Sequence, residues 1–167
     1  FYHEVEVSKY PLFDYPPYEL VLTSKMVEVA KAHRLNLLHV HYAIPHASAA
    51  VNAKRILAEM GLHVPVVTTL HGTDITLLGK DASFKPVITH AINASDAVTA
   101  VSQSLKDDTM AQFPVTVDID VVHNFVCPPH FDREPDLAFR QQLSPQGAPV
   151  LCHISNFRPV KRVLDVM

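Results

Sequence analysis

Two short stretches of the chain hold the side chains best suited to chemistry. The first is Thr68-Thr69-Leu70-His71-Gly72-Thr73-Asp74. Gly72 allows a tight turn and a close backbone approach to a ligand. Thr69, His71, Thr73 and Asp74 can hydrogen-bond the hydroxyls of a sugar or a hydroxy acid. The same stretch also fits an ordinary strand-to-helix turn with a capping Thr or Asp. The second stretch is Ile154-Ser155-Asn156-Phe157-Arg158-Pro159-Val160-Lys161-Arg162. It reads as a strand end, a turn with several cations, and the start of a helix. Helix N-terminal amides beside Lys and Arg suit a phosphate. Charges of that kind stabilise a departing diphosphate in a transition state. The plainer alternative is a solvated basic turn.

Histidines are a third feature. In a strand, His39-Val40-His41 puts two imidazoles on one face, because side chains alternate with period two. With His46, His71 or His123 they could hold a metal. The chain has no HExxH or other tight ligand spacing, so pocket or core histidines are expected and no metal site is assigned. Ser102 and Ser155 lack a GxSxG setting, which gives a hydrolase nucleophile little support. Neither GxGxxG nor GxxxxGK[ST] occurs.

These residues must be positioned by alternating helices and strands. Pro16-Pro17 mark a loop, and a helix is expected over Tyr18 to His33, with Leu22, Met26, Val29 and Ala30 on one face. Asn36 to His41 reads as a strand. Ala43 to Met60 reads as an Ala-rich helix ending at Gly61, a natural C-terminal cap. Val64 to Leu70 is the next strand, with Pro65 tolerable only near its start. Ser83 to Ala94 is a helix, Ala97 to Val101 a strand, and Ser102 caps a helix that ends near Phe113. Asp118 to His123 is a strand, Cys127-Pro128-Pro129 a linker, and Asp132 to Leu143 a polar helix. Pro149 to Ser155 reads as a strand, and Val160 opens another helix.

Apolar strands, each followed by a helix, predict a parallel sheet buried on both faces in an α/β, Rossmann-like, doubly wound layer. Ligands of such sheets bind outside the carboxyl ends of the strands. Those ends are His41-Tyr42, His71 to Asp74, Val101-Ser102, His123-Asn124 and Ser155-Asn156. The predicted division is a first domain over residues 1–127 and the opening of a second over residues 128–167.

The 167 residues are 48% hydrophobic and 19% charged, a globular composition. A net charge of -3 argues against a general nucleic-acid grip, which needs a basic face. Cys127 and Cys152 form no CxxC pair, and two buried thiols in a reducing, cytoplasmic setting are expected. No apolar run approaches the roughly 20 residues of a membrane span. The chain opens at Phe1 within a strand-like alternation running to Val7 and stops at Met167, early in an expected helix. A piece of a longer protein is therefore expected.

Five segments together resemble one family. They are His39 to Ala47, Thr68 to Thr76, Val98 to Ser102, Val122 to Val126 and His153 to Arg162. In this order the chain resembles the retaining nucleotide-sugar glycosyltransferases built from two Rossmann-like domains (the GT-B type). More narrowly, it is similar to the N-acetylglucosaminyl-L-malate synthases of bacillithiol biosynthesis. The resemblance implies transfer of N-acetylglucosamine from UDP-GlcNAc to the hydroxyl of L-malate, with anomeric configuration retained and no cofactor or metal required. It implies that the first domain holds the acceptor and the second the nucleotide. Lys161 matches the family's diphosphate-contacting lysine, and His71 the loop histidine near the donor sugar. Tyr42, Thr69 and Asn124 stand where acceptor contacts are implied. The broader group carries an arginine five residues before the lysine. Here that position is Asn156, so either Asn156 serves there without a charge or Arg158 supplies it.

A dimer is common in the resembled family. Its glycine-rich first loop and its later acidic motif have no counterpart in these residues, so the chain alone is expected to be inactive. Competing readings are a transferase with another acceptor, a metal-dependent hydrolase using His39, His41 and His71, and a non-catalytic ligand-binding module.

Overall fold

The computed structural model describes residues 1–7, 17–77, 81–127 and 134–166. Pro16 of the expected loop, Pro128 and Pro129 of the linker, Asp132 of the expected helix and Met167 lie outside the described residues. The chain divides into two compact units, Phe1–Asn124 and Phe125–Met167.

The first unit alternates helix and strand: α1 (Tyr18–His33), β1 (Leu38–His41), α2 (Ser48–Glu59), β2 (Val66–Leu70), α3 (Lys85–Asn93), β3 (Ala97–Ala100), α4 (Gln103–Gln112) and β4 (Ile119–Val121). Two wide helical turns follow strands, at Ala43–Ala47 after β1 and at Thr73–Leu77 after β2. The helix ends are set by local chemistry. Gly61 takes φ +78 after α2, its N–H donates to the Ala58 carbonyl, and the Leu62 N–H donates to that of Leu57. Ser102 caps α4 by accepting from the Leu105 N–H at 3.2 Å. The helix expected from Ala43 instead begins at Ser48. Extended backbone at Ile44 (φ −131, ψ 144) breaks the preceding turn away from it.

The four strands are parallel and lie in the order β1-β2-β3-β4. Register places Val40 beside Thr68, Thr68 beside Val98, and Val98 beside Ile119. This row is buried and packs under the helices through Leu57, Ile88, Ile92 and Leu105. The hydroxyl of Thr68 is accommodated there by Ser95 Oγ at 2.8 Å, which in turn donates to the Ala91 carbonyl. A buried hydroxyl without such a partner would be costly.

The parallel α/β architecture is as the sequence predicts, but the coverage of the sheet differs. Among the described residues only one face is buried under helices. The other presents His39, His41, Thr69, Thr99 and Asp120, of which His39, His41 and Asp120 are exposed. Strand order explains this. Each strand lies beside its successor, so crossovers of one hand bring α2, α3 and α4 to the same side. A doubly wound sheet reaches its second face by reversing strand order. The four described strands run in one uninterrupted order, without such a reversal.

Four further expectations are corrected. Residues 1–7 form no strand. Their backbone has no ladder partner among the described residues, and Phe1 instead stacks on His33 with ring centroids 5.5 Å apart. In the second unit, residues 149–155 likewise form no strand, for the same reason, and the expected polar helix is the shorter α5 (Leu137–Leu143), capped by Asp136. Finally, Cys127 and Cys152 are exposed free thiols rather than buried ones. Among the described residues no helix is long and apolar enough to cross a membrane.

Candidate functional site at the strand ends

Parallel strands deliver their carboxyl ends to one edge of the sheet, and the candidate residues of the first unit come from there. At the end of β1, Tyr42 has φ +75 and ψ 139, a strained backbone for a residue with a Cβ. Its neighbours hold it there. The Tyr42 N–H donates to the Thr69 carbonyl at 2.9 Å, and the Tyr42 carbonyl accepts from the Ala47 N–H at 3.1 Å. The Ala43 N–H donates to Asp74 Oδ2 at 2.6 Å. The Tyr42 ring lies 5.0 Å from that of His71 and 6.2 Å from that of His46.

At the end of β2, Gly72 takes φ +110, which strains any residue with a Cβ. Its carbonyl accepts from the N–H groups of Ile75 and Thr76 and from the Thr76 hydroxyl. Thr73 is exposed. Asp74 is 1% exposed, and its Oδ1 accepts from the Gly72 N–H at 3.2 Å. The sequence suggests Asp74 as a hydroxyl ligand; in the structure its oxygens are turned onto backbone amides.

Four imidazoles crowd this edge. His41 Nδ1 and His71 Nε2 are 2.7 Å apart, His39 stacks on His41 at 4.9 Å, and His46 Nδ1 lies 2.7 Å from the His41 carbonyl. Burial by this packing, and then the charges His71, His39 and His46 would carry, hold the pKa of His41 below the ordinary 6.5. On the polar face below, His39 Nε2 meets Thr69 Oγ1 at 2.9 Å, and Thr69 Oγ1 meets Thr99 Oγ1 at 2.8 Å. Among the described residues no group of three His, Cys, Asp or Glu side chains is arranged to hold a metal.

At the ends of β3 and β4, Ser102 is occupied as a helix cap. His123 Nδ1 donates to the Val101 carbonyl at 3.2 Å, and Asn124 is exposed. The structure therefore puts Tyr42, His71 and Asp74 in one linked cluster, with Thr69 beneath it. Thr99 was not singled out from sequence, and His41 was read there only as a possible metal ligand. Their signal was register: His41, Thr69, Thr99 and Asp120 are successive partners across the sheet.

In the second unit the predicted helix start is two short 3₁₀ turns, Pro159–Lys161 and Val163–Asp165, divided by Arg162 at φ +49. A left-handed residue there interrupts the α-helical ladder. Asn156, Arg158 and Lys161 are exposed. Arg162 is engaged by the Asp165 carboxylate, whereas Arg158 and Lys161 pair with no carboxylate among the described residues. The Lys161 N–H donates to the Arg158 carbonyl at 2.8 Å, which keeps the two cations in one turn. Just before it, Ser155 Oγ lies 2.9 Å from His153 Nε2 and accepts from the Phe157 N–H.

Comparison with known proteins adds two findings. The profile of Glycosyltransferase Family 4 matches residues 1–128. An N-acetyl-alpha-D-glucosaminyl L-malate synthase from Bacillus anthracis is 47% identical over 168 residues, covering 100% of this chain and 43% of its own length. The chain thus spans less than half the length of that relative.

Proposed function

The chain belongs to glycosyltransferase family 4, and from that premise we propose that the protein transfers N-acetylglucosamine from UDP-GlcNAc to the hydroxyl of L-malate. The observation that carries the reading is the likeness to the malate synthase along the whole chain. The strand-end cluster adds a surface of hydroxyl, imidazole and amide groups suited to a small polar acceptor. The Arg158–Lys161 turn adds two cations without carboxylate partners among the described residues, suited to a diphosphate.

In this reading the bond from the anomeric carbon to the diphosphate oxygen breaks, and the malate hydroxyl oxygen bonds to the same carbon on the same face. The hydroxyl proton passes to the departing diphosphate, and configuration is retained. Lys161 and Arg158 stabilise the negative charge that develops on the leaving oxygens. His71 and Thr73 face the donor sugar, and Tyr42, Thr69 and Asn124 the acceptor. Asn156 stands at the position where the broader group has an arginine. Double displacement would need a carboxylate at the anomeric carbon. Asp74, the acidic residue of the strand-end loops, is buried against backbone amides, which favours same-face attack.

The test is a donor and acceptor screen on the full-length protein, reading UDP release and product mass. Malate-dependent UDP release with a product heavier than malate by one N-acetylglucosaminyl group is the expected result. Transfer to a different acceptor would displace malate from the proposal. The 167-residue chain assayed alone is expected to give no turnover.

A further inference from the structure

We propose that Asp74 is a positioning residue, whose buried carboxylate clamps the Tyr42–Ala43 turn to the Gly72 turn and so sets the His41–His71 contact. Its catalytic consequence rests on the transferase reading above; its geometry does not. The two donors to Asp74 come from different strands' loops: Ala43 N–H after β1 at 2.6 Å, and Gly72 N–H after β2 at 3.2 Å. At 1% exposure the carboxylate is shut off from solvent and from a ligand in the crevice. Its role is to bridge, and the bridge has something to hold. Tyr42 carries a positive φ that strains a residue with a Cβ, whereas Gly72 adopts its positive φ freely. Strained backbone of this kind persists only where its surroundings over-determine it.

A carboxylate suits the task because it is acceptor-only and offers an oxygen to each amide. An asparagine at this position keeps the shape but has a single acceptor, so one amide would face an NH₂ donor. Freed from that tether, the Tyr42 turn can relax. His41 immediately precedes it, and His41 Nδ1 reaches His71 Nε2 at 2.7 Å. A shift of the turn therefore moves both the imidazole pair and the Tyr42 ring.

The experiment uses the full-length protein with Asp74→Asn, Asp74→Glu and NMR of the histidine rings. In Asp74→Asn, kcat should fall roughly a hundredfold, the scale of a misplaced reacting group. KM for malate should change far less, and the ring-nitrogen signals of His41 and His71 should both shift. Asp74→Glu retains the charge but is too long for the gap, and should not restore kcat. Unchanged His41 and His71 signals, or a raised malate KM at full kcat, would overturn the proposal.

A second measurement needs no variant. The Asp74 carboxyl carbon signal should stay put on saturation with malate or UDP-GlcNAc, because its oxygens are held by the Ala43 and Gly72 amides. A ligand-induced shift of that carbon would mark a substrate ligand instead. If the unsubstituted protein transfers no sugar, the transferase reading fails while the histidine-ring signals of the Asp74 variants still decide the clamp.

Discussion

His41 Nδ1 and His71 Nε2 face each other at 2.7 Å across the ends of adjacent strands. One nitrogen must donate and the other accept, so a proton on both facing nitrogens breaks the contact. The pair ties its geometry to protonation in the range where imidazoles titrate.

Stability should fall on acidification for this reason. His41 is held below the ordinary value of 6.5 in the folded chain, by burial first and then by neighbouring imidazoles. Below that ordinary value the unfolded chain takes up a proton that the folded site resists. The stabilising contribution is therefore complete above the unfolded pKa, is lost as pH falls below it, and levels off once the depressed folded pKa is passed. Urea denaturation between about pH 5 and pH 8 should show the decline, and His41→Gln should flatten it. An equal slope in the variant would contradict this assignment.

Thr69→Val should destabilise the first unit by about 1 kcal/mol, the usual net worth of a hydrogen-bonded hydroxyl. The side chain keeps its volume but loses both His39 and Thr99 as partners. Thr99→Val severs one of the same bonds. The two changes together should cost less than their sum, as a double-mutant cycle of denaturation midpoints would reveal.

Ser102→Ala should cost about 1 kcal/mol through the lost cap of α4. In the full-length protein kcat should be unaltered, because the hydroxyl is engaged by the Leu105 N–H. A large loss of turnover without loss of stability would give Ser102 a chemical role.

Lys161→Ala in the full-length protein should lower kcat by roughly a hundredfold, the scale seen when one transition-state charge contact is removed. Malate affinity should be nearly unchanged. Equal losses in turnover and malate binding would contradict a role at the leaving diphosphate.

The sequence was most legible where local chemistry decides the outcome. The Tyr18–His33 helix, the Gly61 cap and the Ser102 cap follow from periodicity and from single side chains. It was less legible where partners decide. Residues 1–7 and 149–155 have strand-like composition, but a strand exists only as part of a ladder, and no ladder forms there among the described residues. The Gly72 turn was readable from one residue type. The strain at Tyr42 was not, because nothing in a tyrosine announces positive φ; it follows from tethers to Thr69, Ala47 and, through Ala43, Asp74. The inward turn of Asp74 was hidden likewise. Its partners are backbone amides, which every sequence supplies and none advertises.

The uniform march of β1 to β4 turns position in the chain into a coordinate in space. Neighbouring strands stand about 4.8 Å apart, so the loops that follow them are laid out at even steps along a line about 14 Å long. Exchanging one loop with a relative's would then alter a single point on that line and leave its neighbours in place. Graded changes in acceptor preference could be mapped this way, one step of the ruler at a time.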